Sequence, residues 1–238
     1  MAKFEGKTAI VTGGTGALGR VIAEQFFDLG ARIAIPYHSE KSLATVPKKI
    51  SAAKDKSQFT KANLTDESQV QSFADQVVKN FGTIDYLINA AGGYSGGDMI
   101  DDVSTDEFDG MLNLNLRTTF FVCRNVLKVM RKQRAGRIVN IAAMPAVTPS
   151  AKKGPYAISK RGVITLTETI AEEVKGFGIT ANAIAPSIIL TKANRESMPT
   201  ADFKKWVTPE EIAQLAIYIC SDEAKSVNGN VIKIYGGV

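Results

Sequence analysis

Histidine is nearly missing from this chain: His38 is the only one in 238 residues. Cysteine is scarce too, at two residues, Cys123 and Cys220. Both lie in apolar, helix-like surroundings and read as buried, reduced thiols. So few ligands cannot assemble a metal cluster by the usual spacing rules, so no metal is expected. No run of about 18 apolar residues exists, so no membrane-spanning segment is expected. The opening "MAKFEGKTAIVTGG" carries charge and no apolar signal core, which makes cytoplasmic residence the expectation.

What is present is ordinary for a globular protein: 45% hydrophobic and 22% charged residues. The length suits one α/β domain over residues 1–238 with a sizeable core. Net charge is +5, which favours anionic ligands. "PKKISAAKDK" and "RKQRAGR" are locally basic but carry no interleaved aromatics. They read as solvated helix ends or loops, and no nucleic-acid partner is expected.

Short β-rich runs alternate with amphipathic stretches. The expected strands are "KTAIVT", "ARIAIPY", "SQFTKAN", "DYLINAA", "GRIVNIA", "GITANAIAP" and "NVIKIYG". "ALGRVIAEQFFDLG" has apolar residues at helical spacing and ends at Gly30. "TDESQVQSFADQVVKNFG" begins with a cap, Thr65 or Asp66, and ends at Gly82. "STDEFDGMLNLNLRTTFFVCRNVLKVMRKQ" reads as one long helical stretch. "PYAISKRGVITLTETIAEEVKGFG" opens with a proline suited to a first turn. "TPEEIAQLAIYICSD" offers Thr208, Pro209 and Glu211 as a capping box. This alternation predicts a doubly wound, mostly parallel sheet of Rossmann type with helices on both faces.

The first strand runs into "TGGTGALG", Thr12 to Gly19. Gly14, Gly16 and Gly19 fit G-x-G-x-x-G in the strand–turn–helix setting that the motif requires. Glycines let the turn approach a pyrophosphate, and the next helix presents its N-terminal amides to it. Beyond the second strand, Pro36, Tyr37, His38 and Ser39 offer no carboxylate for a ribose 2′-hydroxyl, and Glu40 lies slightly beyond. His38, Ser39 and Lys41 suit a 2′-phosphate instead, so NADPH is favoured, with NADH possible.

Tyr156 and Lys160 are four residues apart, which places both on one helix face. An ammonium beside a phenol eases its ionisation, so the pair is expected to move a proton near neutral pH. Upstream, after "RIVNI", Ala142 and Ala143 carry no hydroxyl.

Together these pieces resemble the short-chain dehydrogenase/reductase superfamily over nearly the full length. The matching segments are "TGGTGALG", "NLTD", "INAAG", "NLNLRTTF", "GRIVNIA", "YAISK", "NAIAPSIILT" and "GNVIKIYGG". The resemblance implies that Gly13, Gly14, Thr15, Gly16, Ala17, Leu18 and Gly19 border the diphosphate. It implies that Asn63 and Leu64 flank the adenine, and that Asn89, Ala90 and Gly92 support the cofactor behind the fourth strand. Asn115 matches the asparagine that holds a water near the lysine. Tyr156 would be the proton donor, and Lys160 would bind the nicotinamide ribose and lower the tyrosine pKa. Pro186, Ile189 and Thr191 would hold the carboxamide end. A homodimer or homotetramer acting on a small molecule is also implied, with no membrane partner.

The departures narrow the reading. Ala17 stands where many members have a glycine, and Ser187 replaces the common glycine after the proline. Where the family carries a catalytic serine this chain has Ala143, with Thr148 and Ser150 nearby as possible substitutes. One branch, the dihydropteridine reductases, resembles the chain here: it keeps the tyrosine and lysine and lacks the serine. "GGTGALG", "AAGGYSGGD" and "NRESMPTADFKKW" resemble its segments. The resemblance implies reduction of a quinonoid dihydropteridine, with Tyr94 and Ala143 at the substrate and Tyr94 stacking on a flat ring. Phe203, Trp206 and Met198 read as packing residues of a short lid. A general carbonyl or quinone reductase is the alternative, and a dinucleotide-binding sensor without turnover is the reading from another class.

Overall fold

The strand runs are almost wholly apolar because helices cover both faces of the sheet. All five residues of β1 (Thr8–Thr12) are buried, as are all eight of β6 (Ile179–Pro186). The computed structural model describes residues 4–238. The other strands are β2 (Arg32–Tyr37), β3 (Ser57–Lys61), β4 (Tyr86–Asn89), β5 (Gly136–Ile141) and β7 (Val231–Ile234). All pair in parallel, in the order β3-β2-β1-β4-β5-β6-β7. They coincide with the seven expected runs, and the single-domain doubly wound fold is the one anticipated. Strand order reverses between β1 and β4. A crevice therefore opens beyond their carboxyl ends, at Thr12 and Asn89.

The helices are α1 (Ala17–Asp28), α2 (Glu40–Leu43), α3 (Lys48–Ala52), α4 (Glu67–Phe81) and α5 (Thr105–Met111), then α6 (Thr118–Gln133), α7 (Met144–Val147), α8 (Gly154–Glu173), α9 (Lys192–Ser197) and α10 (Pro209–Cys220). Alternate strand residues feed two cores. Val11, Ile35, Ile88 and Val139 pack with Ile22 and Phe26 of α1 and Ile212 and Ile219 of α10. Ile10, Leu87 and Ile138 pack with Phe73 of α4, Val126 of α6 and Ile170 of α8. No helix of the described residues is long and apolar enough to cross a membrane.

Local signals place the ends. Of the two cap candidates before α4, Asp66 serves: its carboxylate accepts from the amides of Ser68 and Gln69. Gly82 ends that helix at φ +83°. The stretch from Thr105 to Gln133 is helical throughout but not uniform. A π-helical segment, Leu112–Arg117, separates α5 from α6. The hydroxyls of Thr118 and Thr119 donate to the carbonyls of Leu114 and Asn115, each at 2.7 Å. These bonds relieve the widened turn, a device often found at functional sites. The short helices α2, α3, α7 and α9 were not anticipated, since one turn is too brief for a periodic apolar pattern.

The capping box that opens α10 is complete. Thr208 Oγ1 accepts from Glu211 N at 3.2 Å, and Thr208 N donates to Glu211 Oε2 at 2.8 Å. Thr208→Ala is expected to cost about 1 kcal/mol and lower Tm by roughly 2–4 °C in a thermal melt. An unchanged melt would show that α10 does not depend on its cap.

Candidate active site

The turn from β1 into α1 is built for close backbone approach. A Cβ on Gly19 would lie 2.2 Å from the Gly13 carbonyl oxygen, and one on Gly13 would lie 2.8 Å from that of Ala90. Gly13 also has φ +66°, a region that suits glycine. Gly14 packs on Ile35, whose side chain would be 2.8 Å from an added Cβ. Gly16 N donates to Gly13 O at 2.8 Å. Gly16 caps α1 without a side-chain bond, so the first amides of the helix keep their donors for a ligand. This cradle fits a dinucleotide pyrophosphate.

From that turn a cavity of ≈ 520 Å³ runs across the crevice. It brings together Gly13, Gly16, Ala17, Leu18, Gly19, Ala90, Gly92, Tyr94, Ala143, Tyr156, Lys160, Pro186 and Ile189 of the expected residues. Gly14 and Thr15 stay in the turn behind it, with the Thr15 carbonyl accepting from Thr45 Oγ1 at 2.6 Å. His38 and Ser39 are exposed beyond β2. Tyr37 donates its hydroxyl to Glu40 at 2.9 Å, which occupies the one acid near that loop. Asn63 forms an Asx turn, accepting from Thr65 N at 3.0 Å, and Leu64 packs on the core.

Thr191 caps α9, its hydroxyl accepting from Asn194 N at 3.2 Å, and it lies beside the cavity lining. Thr148 and Ser150, left open as substitutes for the missing hydroxyl, are both exposed and outside the cavity wall. They follow the short helix α7, which carries the chain outward. Met198, expected as a packing residue, lines the cavity. Trp206 is buried and stacks edge-on with Phe203, centroids 4.8 Å apart, as a packing anchor should.

Lys160 is buried and donates to the Ile141 carbonyl at 2.9 Å. Burial pulls its pKa down to about 8. Burial also pushes the Tyr156 phenol up to about 12, with Tyr94 a smaller contributor. Lys160 is shut off from water and Tyr156 is half-buried at the cavity wall, and in both desolvation disfavours the charged form. At neutral pH Tyr156 holds its proton, which suits a proton donor.

Asn115 is fully buried within the π segment. Its amide donates to Gly93 O at 3.1 Å and Ser159 Oγ at 3.0 Å, and its Oδ1 accepts from Gly93 N at 3.0 Å. A Cβ on Gly92 would fall 2.6 Å from Asn115 Oδ1 and 3.1 Å from Lys160 Nζ. Gly92 thus lets the loop after β4 pass between them.

The sequence reading missed Met144, Lys153 and Asn194, which also line the cavity. Lys153 had a readable signal, since it lies three residues before Tyr156, within one helical turn. Missed too were Thr12, Asn140 and Thr167, which hold Asn89 from behind. Asn89 Nδ2 donates to Asn140 Oδ1 at 2.8 Å, and Asn140 Nδ2 donates to Thr167 Oγ1 at 2.8 Å.

The lowered pKa of Lys160 is a stability statement. Below about pH 8 the lysine is charged both folded and unfolded, and burial costs about 3 kcal/mol. Between that point and the unfolded value only the unfolded chain holds the proton, so stability rises with pH there. Lys160→Met should therefore raise the Tm of the dinucleotide-free protein by roughly 6–12 °C at pH 7. The gain should shrink by pH 10. A lower Tm at pH 7 would mean that the lysine stabilises the fold.

Comparison with known proteins agrees with this geometry. The family model described as short chain dehydrogenase matches residues 7–202. The 3-oxoacyl-(acyl-carrier-protein) reductase of Thermotoga maritima is 32% identical over 244 residues, with 99% of each chain covered. Levodione reductase of Leifsonia aquatica is 31% identical over 253 residues, covering 99% of this chain and 95% of its own. A crystal structure of levodione reductase matches with a TM-score of 0.90 at 30% identity, covering 99% of this chain and 98% of that one. A match over most of the length, onto a crevice shaped for a dinucleotide, leaves one conclusion: the chain belongs to the short-chain dehydrogenase/reductase family, oxidoreductases that work with NAD(P).

Proposed function

We propose that this chain is an NAD(P)H-dependent reductase whose substrate is a flat, already activated ring, with quinonoid dihydropterin the first choice. The observation that carries the reading is Ala143. It lines the cavity together with Tyr156 and has no hydroxyl. Neither Thr148 nor Ser150 reaches that wall. An ordinary ketone needs a donor to polarise its carbonyl and hold the developing oxyanion. A conjugated quinonoid ring is electrophilic without one.

The glycine turn from Gly13 to Gly19 would hold the dinucleotide, which would supply the hydride. Tyr156 keeps its proton at neutral pH and gives it to the reduced ring. Lys160, held by the Ile141 carbonyl, is placed to take a ribose hydroxyl. Tyr94 is 57% exposed at the cavity and meets Tyr156 edge-on, centroids 5.0 Å apart. That exposure leaves Tyr94 available to stack on a flat ring. Met144 and Met198 supply adaptable apolar walls. The segment "NRESMPTADFKKW", whose pattern resembles the dihydropteridine reductases, brings Met198 to the cavity and carries the buried Trp206.

Ketone reduction is the second reading, and the named relatives favour it: one is a 3-oxoacyl reductase and another a levodione reductase. Oxidation of NADPH with freshly generated quinonoid dihydropterin, beside levodione and a panel of ketones and quinones, separates the two. Pterin turnover is expected to dominate. Tyr156→Phe should lower kcat by roughly 100-fold. Turnover of ketones alone would overturn the pterin reading. Dinucleotide binding without turnover of any acceptor would leave the sensor.

For the cofactor we propose NADPH. Glu40 is engaged by Tyr37, and His38, Ser39 and Lys41 are exposed beside it. The kcat/KM for NADPH should exceed that for NADH. His38→Asp, which puts a carboxylate on that loop, should shift the ratio toward NADH by roughly tenfold or more. A wild-type preference for NADH would refute this choice.

A further inference from the structure

No carboxylate lines the cavity around Tyr156, but two lysines do. Lys160 is committed to the Ile141 carbonyl. Lys153 makes no ion pair among the described residues. It stands where local chemistry disfavours a cation. It is the N-cap of the 20-residue helix α8 and makes no capping bond with its side chain. The positive end of the helix dipole repels it, and a serine, threonine or aspartate would serve the cap better. Its neighbour Lys152 has φ +61°, a conformation that costs energy for a residue with a side chain. The Lys152 carbonyl accepts from Gly97 N at 2.9 Å, which ties this turn to the loop that carries Tyr94. Strain and an unfavourable charge thus meet at the wall of the reactive cavity.

We propose that Lys153 is a specificity residue, the charge-selecting group of the substrate cavity. It binds a substrate oxygen that bears, or gains, negative charge during reduction. The inference rests on the reductase reading and narrows its substrate. The acceptor is a planar ring whose hydride-accepting position is conjugated to a carbonyl oxygen. Hydride addition sends an electron pair through the conjugated system to that oxygen. Lys153 meets the charge there, and Tyr156 returns one proton, so the ring gains a hydride and a proton in all.

The test uses Lys153→Met and Lys153→Arg in the full chain, with whichever acceptor the wild type turns over best. Lys153→Met is expected to lower kcat/KM by roughly tenfold or more, Lys153→Arg to recover most of the loss, and the Kd for NADPH to stay within about twofold. Tm should hold or rise, since a cation leaves a helix N-terminus. A second measurement does not depend on the acceptor. In the complex with NADP+, 2-naphthoate should bind roughly tenfold tighter than 2-naphthamide to wild type and Lys153→Arg, and equally well to Lys153→Met. Unchanged kcat/KM in Lys153→Met overturns the proposal. So does a wild type that shows no preference between the two probes, or a preference that survives the methionine. Charge preference intact with no pterin turnover would sink the pterin reading and leave Lys153 its role.

Discussion

A buried chain of hydrogen bonds decides where the reactive helix stands relative to the nucleotide turn. Thr12, the last residue of β1, donates to Asn89 Oδ1 at 3.4 Å and accepts from Ala91 N at 3.1 Å. Asn89 continues to Asn140 on β5, and Asn140 to Thr167 on α8, whose hydroxyl donates to the Val163 carbonyl at 2.7 Å. Asn89, Asn140 and Thr167 are closed to solvent. Each would be costly to leave unpaired there, so the geometry is held tightly. The chain spans the glycine turn, the loop after β4 and the helix that carries Tyr156 and Lys160.

With the frame held, burial sets the protonation of the site. The same exclusion of water pushes the phenol of Tyr156 up and the ammonium of Lys160 down. The result is a protonated phenol beside a buried lysine, and both sit in a wall without carboxylates. The nucleotide end is made from backbone and glycine, where any side chain would collide. The far end is made from Tyr94, Met144, Lys153 and Met198, which differ in shape, flexibility and charge.

Strands and long helices were legible because their signals are local. Apolar runs marked β1 to β7, and Asp66, Gly82 and Thr208 marked helix ends through bonds to neighbours in sequence. The glycine turn was legible for the same reason. Short helices such as α7 and α9 were not, because one turn leaves no period to read. The widened π turn at Asn115 was also hidden, since its cause is the distant partners Gly93 and Ser159.

The sequence by itself determined the fold class, the nucleotide turn, the Tyr156–Lys160 pair and the lack of a hydroxyl at 143, all of which reside in residue type and spacing. Only the tertiary structure decided which side chains share the cavity. It left Thr148 and Ser150 outside the cavity wall and brought in Met144, Lys153 and Met198. It also set the acidity of Tyr156, whose pKa burial pushes up. That property depends on how much water surrounds the phenol, and residues far apart in the chain settle it.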